Sequence, residues 1–184
     1  MSQDALQQDT SLSDAVDEII AQWRVERPDL DPSGKHITGR IVRLASQFLQ
    51  AFEESHMAAV PEVGMNGSDF GVLSPLRRSG EPFELTPTEL ARHRMISSGG
   101  MTAALDRLER RGWIVRVPNP NDRRGSLVRL TEAGREAIDR AMDLHAETER
   151  QLVAPLDEHD QRELQRILRR LLVATERQSL VAKA

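Results

Sequence analysis

TPTELARHRMISSGGMTAALDRLERRGWIVRVPNPNDRRGSLVRLT, residues 86–131, decides the fold. Thr86-Pro87-Thr88-Glu89 sets threonine as cap, proline at the first helical position and glutamate at the third, a capping box that starts a short helix ending near His93. A second helix begins at Ser97 or Ser98, runs through Met101, Leu105 and Leu108 to Arg111, and stops at Gly112. Residues 113–117 and 126–130 are β-prone runs joined by a Pro, Asn and Gly-rich turn, which predicts a hairpin. From Thr86 to Arg129 nine arginines face four acidic residues, a net of +5 inside a chain of net charge −4. A basic island in an acidic protein is the footprint of a polyanion partner.

Helix, turn, helix and hairpin together form a winged helix–turn–helix, in which the second helix enters the major groove of double-stranded DNA. The residues at its first turns, Ser97, Ser98, Gly100, Met101, Thr102 and Ala103, are the candidates for groove contact. Arg107, Arg110 and Arg111 follow on the same helix, placed for phosphates or for ion pairs, and Arg107 is taken as a DNA contact. The hairpin tip, with Asp122, Arg123 and Arg124, is a wing whose arginines suit a narrow minor groove.

Outward from this segment the chain divides into four parts. Residues 1–12 are a polar tail, expected to be disordered; 13–66 carry two helices; 67–131 form the DNA-binding region; 132–184 carry two long helices. Ser13-Asp14 is a candidate cap for the first helix, with Val16, Ile19, Ile20 and Trp23 at helical spacing. The second runs from about Pro32 to Met57, and a third over 67–78 contains Pro75, an oddity in a helix interior. The last helix, from about Asp157, puts Leu164, Ile167, Leu168, Leu171 and Leu172 on one packing stripe.

Composition agrees. Aromatics are 3% of the chain and tyrosine is missing, so the core is built from Leu, Val, Ile, Ala and Met, which suits a mainly α fold with a small β wing. With no cysteine, disulfides and thiolate chemistry are excluded. The apolar runs are too short to span a bilayer and the acidic N-terminus is no secretory signal, so a cytoplasmic protein without membrane contact is expected. There is no glycine-rich phosphate loop and no nucleophile–base constellation, which speaks against an enzyme. His36 and His56 lie on the second helix, where an interface role is open, but no further His or carboxylate at ligand spacing makes a metal site. No cofactor is expected.

The stretches LTPTELARHRMISSGGMTAALDRLERRGWIVR (85–116) and NPNDRRGSLVRLTEAG (119–134) resemble the MarR-type winged-helix regulators. The hallmark is an Asp-x-Arg wing, a strand ending in Leu-Thr, and a glycine at the next helix start: Asp122, Arg124, Leu130, Thr131 and Gly134. The resemblance covers about residues 35–175. It implies that Asp122 orients Arg124 toward the minor groove. It also implies a homodimer through the first and last helices, reading a pseudo-palindromic operator.

QWRVERPDLD (22–31), FGVLSPLRRSG (70–80) and SGGMT (98–102) further resemble the urate-responsive branch, which has an added N-terminal helix. That branch holds its ligand with a tryptophan, an aspartate and two arginines; the matching positions are Trp23, Gly71, Arg78 and Arg116. Glycine replaces the acid. Trp23, Arg78 and Arg116 then form a donor set suited to a small polyanionic effector, a di- or tricarboxylate first and urate second. On this expectation Arg116→Ala spares DNA binding and abolishes the ligand response. The same residues also admit a plain reading, Trp23 as packing and the arginines as ion pairs, in a constitutive DNA binder without ligand control.

Overall fold

The structure is a computed structural model that describes residues 12–61, 64–92, 98–120 and 122–181, without the side chains of 98–100, 123–124 and 179–181. The tail expected over 1–12 falls outside these residues, apart from Leu12. The chain forms two compact units, Met1–Ala51 and Phe52–Ala184.

In the first unit, helix α1 (Ala15–Glu26) is capped by Asp14 in a reciprocal box with Asp17. Helix α2 (Lys35–Ala59) begins in this unit and ends in the second. Arg40 of α2 donates to Asp14 and to Asp17, each at 2.8 Å, which fixes the start of α1 on the early turns of α2. Val16 and Ile20 are buried, and a Cβ at Gly39 would lie 3.0 Å from Val16 Cγ1, so glycine permits this close crossing.

The second unit follows the expected order closely. It contains α3 (Gly67–Arg78), β1 (Glu84–Leu85), α4 (Pro87–Arg92), α5 (Ser98–Arg110), β2 (Ile114–Asn119), β3 (Asp122–Leu130), α6 (Glu132–Val153) and α7 (Glu158–Val181). The α4 cap is the one expected: Thr86 N–H donates to Glu89 Oε2 at 2.8 Å and Glu89 N–H to Thr86 Oγ1 at 3.1 Å. Pro75 lies inside α3 and is buried. The residue four before it, whose carbonyl a proline ring crowds, is Gly71.

The strands form one antiparallel sheet in the order β1-β3-β2. The register pairs Ile114 with Leu130 and Arg116 with Val128, and slips at Pro118/Asn119 just before the tip. The core gathers Met65, Val72, Leu73 and Leu76 with Leu90, Leu105, Leu108, Ile114, Val128 and Ile138. Each contributor on a helix or strand is the inward residue of its helix repeat or strand alternation.

The joint between hairpin and α6 explains the Leu-Thr-x-x-Gly spacing. Thr131 caps α6 by accepting from Gly134 N–H at 3.0 Å, while its hydroxyl donates to the Gly112 carbonyl at 2.6 Å. Any Cβ at Gly134 would collide with the Trp113 carbonyl. The leucine stripe of α7, read as packing, is exposed in the single chain: Leu164, Ile167, Leu168, Leu171 and Leu172 lie between 41% and 59%. No helix among the described residues is long and apolar enough to cross a membrane.

Candidate nucleic-acid interface

Helix α5 supplies the surface, and its own periodicity decides which residues face out. Met101, Ala104, Leu105 and Leu108 are buried; Thr102, Ala103, Asp106 and Arg110 are exposed. Met101 was expected at the groove, yet at 6% exposure it belongs to the core. Residues in an unbroken row cannot all share a face when each turns the helix by about 100°, and 101, 105 and 108 form the inner stripe. Thr102 and Ala103 are exposed on the outer face. Ser97 lies outside the described residues, as do the side chains of Ser98 and Gly100.

Arg107 is also placed differently from the expectation. Its Nε and Nη2 donate to Oδ1 of Asp69, at 2.9 and 2.6 Å. Arg111 Nη1 donates to Oδ2 of the same carboxylate at 3.0 Å and to the Gly64 carbonyl at 2.9 Å. The Arg111 guanidinium also lies over the Trp113 ring, 5.1 Å from its centroid. Asp69 is fully buried in the first turn of α3. One buried acid therefore takes two arginines from the C-terminal end of α5 and the residue after it, and ties that helix to α3.

On the wing side the stoichiometry reverses. Arg116 of β2 donates through Nη2 to Asp106 Oδ1 at 2.5 Å and through Nη1 to Glu109 Oε2, and its backbone N–H reaches Glu109 Oε1 at 3.2 Å. These bonds, Asp106 first, hold the guanidinium's pKa above its ordinary value. Arg129 of β3 is paired with Glu84 of β1. Four arginines of the basic island, 107, 111, 116 and 129, are thus engaged by carboxylates of the chain itself. Arg92 and Arg110 are exposed on α4 and α5; Arg110 Nε donates to the Asp106 carbonyl of its own helix, at 3.2 Å. Arg92 was not singled out in the sequence. At the tip, an added Cβ on Gly125 would come within 2.8 Å of Asp122 Oδ2, so the carboxylate lies against the glycine. The side chains of Arg123 and Arg124 lie outside the described residues.

The residues proposed for an effector are spread over separate elements. Trp23 is 41% exposed on α1. Arg78 is exposed at the C-terminal end of α3, and Arg116 is turned onto α5.

A histidine pair, illegible in the sequence, sits behind α3. His56 of α2 is buried, and its Nε2 lies 3.1 Å from Nδ1 of His145 on α6. Phe70 stacks on His56 with ring centroids 3.9 Å apart. Sequence spacing gave His56 no second histidine; the tertiary fold brings one across 89 residues. Glu149 Oε1 lies 3.4 Å from His145 Nε2. His56 Nδ1 is buried and has no hydrogen-bond partner among the described residues. Burial first, and the neighbouring His145 second, push the His56 pKa down to about 4. Among the described residues no group of three or more His, Asp or Glu could hold a metal ion.

Residues 63–125 match the family model described as MarR family. The chain is 33% identical over 156 residues to the HTH-type transcriptional regulator PecS of Dickeya dadantii, covering 85% of this chain and 92% of that one. It is 33% identical over 121 residues to the multiple antibiotic resistance protein MarR of Salmonella typhimurium, covering 63% of this chain and 80% of that one. Among solved structures it is similar to Sco3205, a MarR family regulator from Streptomyces coelicolor in complex with DNA, with a TM-score of 0.66 at 26% identity over 78% of this chain and 88% of that one. It is also similar to a mutant of MarR from E. coli complexed with operator DNA, with a TM-score of 0.62 at 27% identity over 87% and 99% of the two chains. Basic helix–turn–helix, β wing, glycine-marked joint and these likenesses agree, and the chain belongs to the MarR family of winged-helix DNA-binding transcriptional regulators.

Proposed function

We propose that the protein is a dimeric repressor that holds a pseudo-palindromic operator and releases it when a small anion binds. The observation that carries the DNA half is the outer face of α5: Thr102, Ala103 and Arg110 stand exposed beside the β2–β3 hairpin, while the opposite stripe is locked in the core. Thr102 and Ala103 then meet base edges, Arg110 and Arg92 meet phosphates, and Arg123 and Arg124 carry the wing contact with Asp122 orienting Arg124. The bare leucine stripe of α7 supports dimerisation, since a stripe of this length does not stay in water when a second copy is available.

The effector is a di- or tricarboxylate, with urate second, and Arg78 and Arg116 are its cationic contacts. At Arg116 it has rivals, because Asp106 and Glu109 already occupy the guanidinium, so a multiply charged anion is favoured over a monoanion. The test is a thermal-shift and DNA-binding screen of the full chain against citrate, aconitate and urate, with Trp23→Ala and Arg78→Ala alongside. A shift from one anion, lost in both variants and matched by weaker DNA binding, is the expected result. No shift from any of them would leave a constitutive DNA-binding regulator and end the effector half of the reading.

A further inference from the structure

The outer face of α5 carries a contradiction. A helix that must lie among phosphates exposes Asp106, and Glu109 stands half-exposed one turn along. Their side chains are 53% and 38% exposed. Left bare, two carboxylates at a polyanion interface repel the backbone and hold back cations that binding should release. Both are instead gripped by the single guanidinium of Arg116, which reaches across from β2, with the Arg116 backbone N–H adding a further bond to Glu109. No other arginine or lysine is paired with Asp106 or Glu109 among the described residues.

We infer that Arg116 is the charge mask of the recognition helix: its single positive charge binds both Asp106 and Glu109 and halves their negative charge in place, so that α5 can enter DNA, and it need not touch the nucleic acid itself. This rests on the assignment of α5 to the groove. It also reverses the expectation drawn from the sequence, in which loss of Arg116 spares DNA binding. Removing the mask leaves the helix with its shape and core contacts, but with two uncompensated negative charges on the side that meets phosphates.

The test is a mutant cycle on the full chain, read by fluorescence anisotropy with a labelled duplex selected in vitro by the parent protein and with a shuffled duplex, from about 50 to 200 mM salt. The variants are Arg116→Ala, Arg116→Lys, Asp106→Asn/Glu109→Gln, and the triple Asp106→Asn/Glu109→Gln/Arg116→Ala. Arg116→Ala is expected to weaken binding by about tenfold at the low-salt end, and Arg116→Lys by much less, because the point charge survives. In the neutralised background the same Arg116→Ala change should cost almost nothing. The slope of log affinity against log salt should then be the same for the double and triple variants. A phosphate contact gives a different pattern: equal losses in both backgrounds, with the slope falling by about one each time. That pattern would overturn the mask while leaving α5 as the DNA-binding helix. If selection with the parent protein enriched no duplex at all, the groove assignment would be overturned, and the mask with it.

Discussion

Helix α5 is held between two charged triads of opposite make-up. On its inner side one carboxylate, Asp69, takes two arginines and is fully buried. On its wing side one arginine, Arg116, takes two carboxylates in a setting open to water, with its own side chain 33% exposed. The physics of the two cannot be the same. A carboxylate without solvent depends wholly on its partners, so losing them or it is costly, whereas exposed pairs exchange readily with water and are screened by salt. The inner triad therefore belongs to stability and to the placement of α5 on α3. The outer one belongs to the charge that α5 presents. Similar ion-pair chemistry serves folding in one place and recognition in the other.

The largest expected effect is at the inner triad. Asp69→Ala strands Arg107 and Arg111 around an empty site and should lower stability by about 3–5 kcal/mol, measured by urea unfolding. Asp69→Asn keeps an acceptor and should lose less. A parent-like unfolding midpoint for Asp69→Ala would collapse the distinction between the triads. DNA affinity, measured where the variant is still folded, should fall as well, because Gly64, α3 and the end of α5 are joined through this carboxylate and its arginines.

The next effect lies behind the same helix and is read through pH. Phe70, the neighbour of Asp69, stacks on His56, which faces His145 of α6 and, beyond it, Glu149. His56 has a folded pKa of about 4 against an ordinary 6.5, so below 6.5 the unfolded chain binds the proton that the folded chain refuses. Its contribution is intact above pH 6.5 and declines as pH falls toward 4, by up to about 3 kcal/mol in total. Unfolding free energies measured at intervals from neutral pH down to about 4 should show this limb, and His56→Phe, which keeps the stack on Phe70, should flatten it. An unchanged acid limb in His56→Phe would assign the loss to other groups.

What could be read in the sequence was local. The Thr86–Glu89 box, the span of α3, the stop at Gly112 and the helix start marked by Gly134 each depend on residues a few positions apart, and all are present. The groove face was read less well. Its small residues stand in a row in the sequence, but helical rotation sends Met101 inward and leaves Asp106 and Arg110 outside. Strand β1 has only two residues and exists because Glu84 and Leu85 find Arg129 and Val128, which no local pattern announces. Asp69 with Arg107 spans 38 positions and His56 with His145 spans 89, and such pairs become visible only when helices pack. The basic island was correctly seen as charge, but how much of it the chain's own acids take up was a tertiary fact.

The smallest expected effect on stability is at the outer triad, and the comparison turns on its smallness. Arg116→Ala breaks two ion pairs, yet both are accessible to water, and exposed pairs are generally worth less than about 1 kcal/mol each. The apolar residues beside it, Ile114 and Val128, keep their burial, and the β2–β3 ladder is backbone-made. The unfolding midpoint should therefore move little, and less still at about 0.5 M salt, where screening has already weakened what the arginine supplied. If Arg116→Ala instead lost as much stability as Asp69→Ala, the outer triad would be a structural clamp like the inner one. Any accompanying loss of DNA affinity would then have to be assigned to a displaced α5. A small stability change with a large affinity change is the outcome that separates a mask from a clamp, since charge at an interface acts on the partner without acting on the fold.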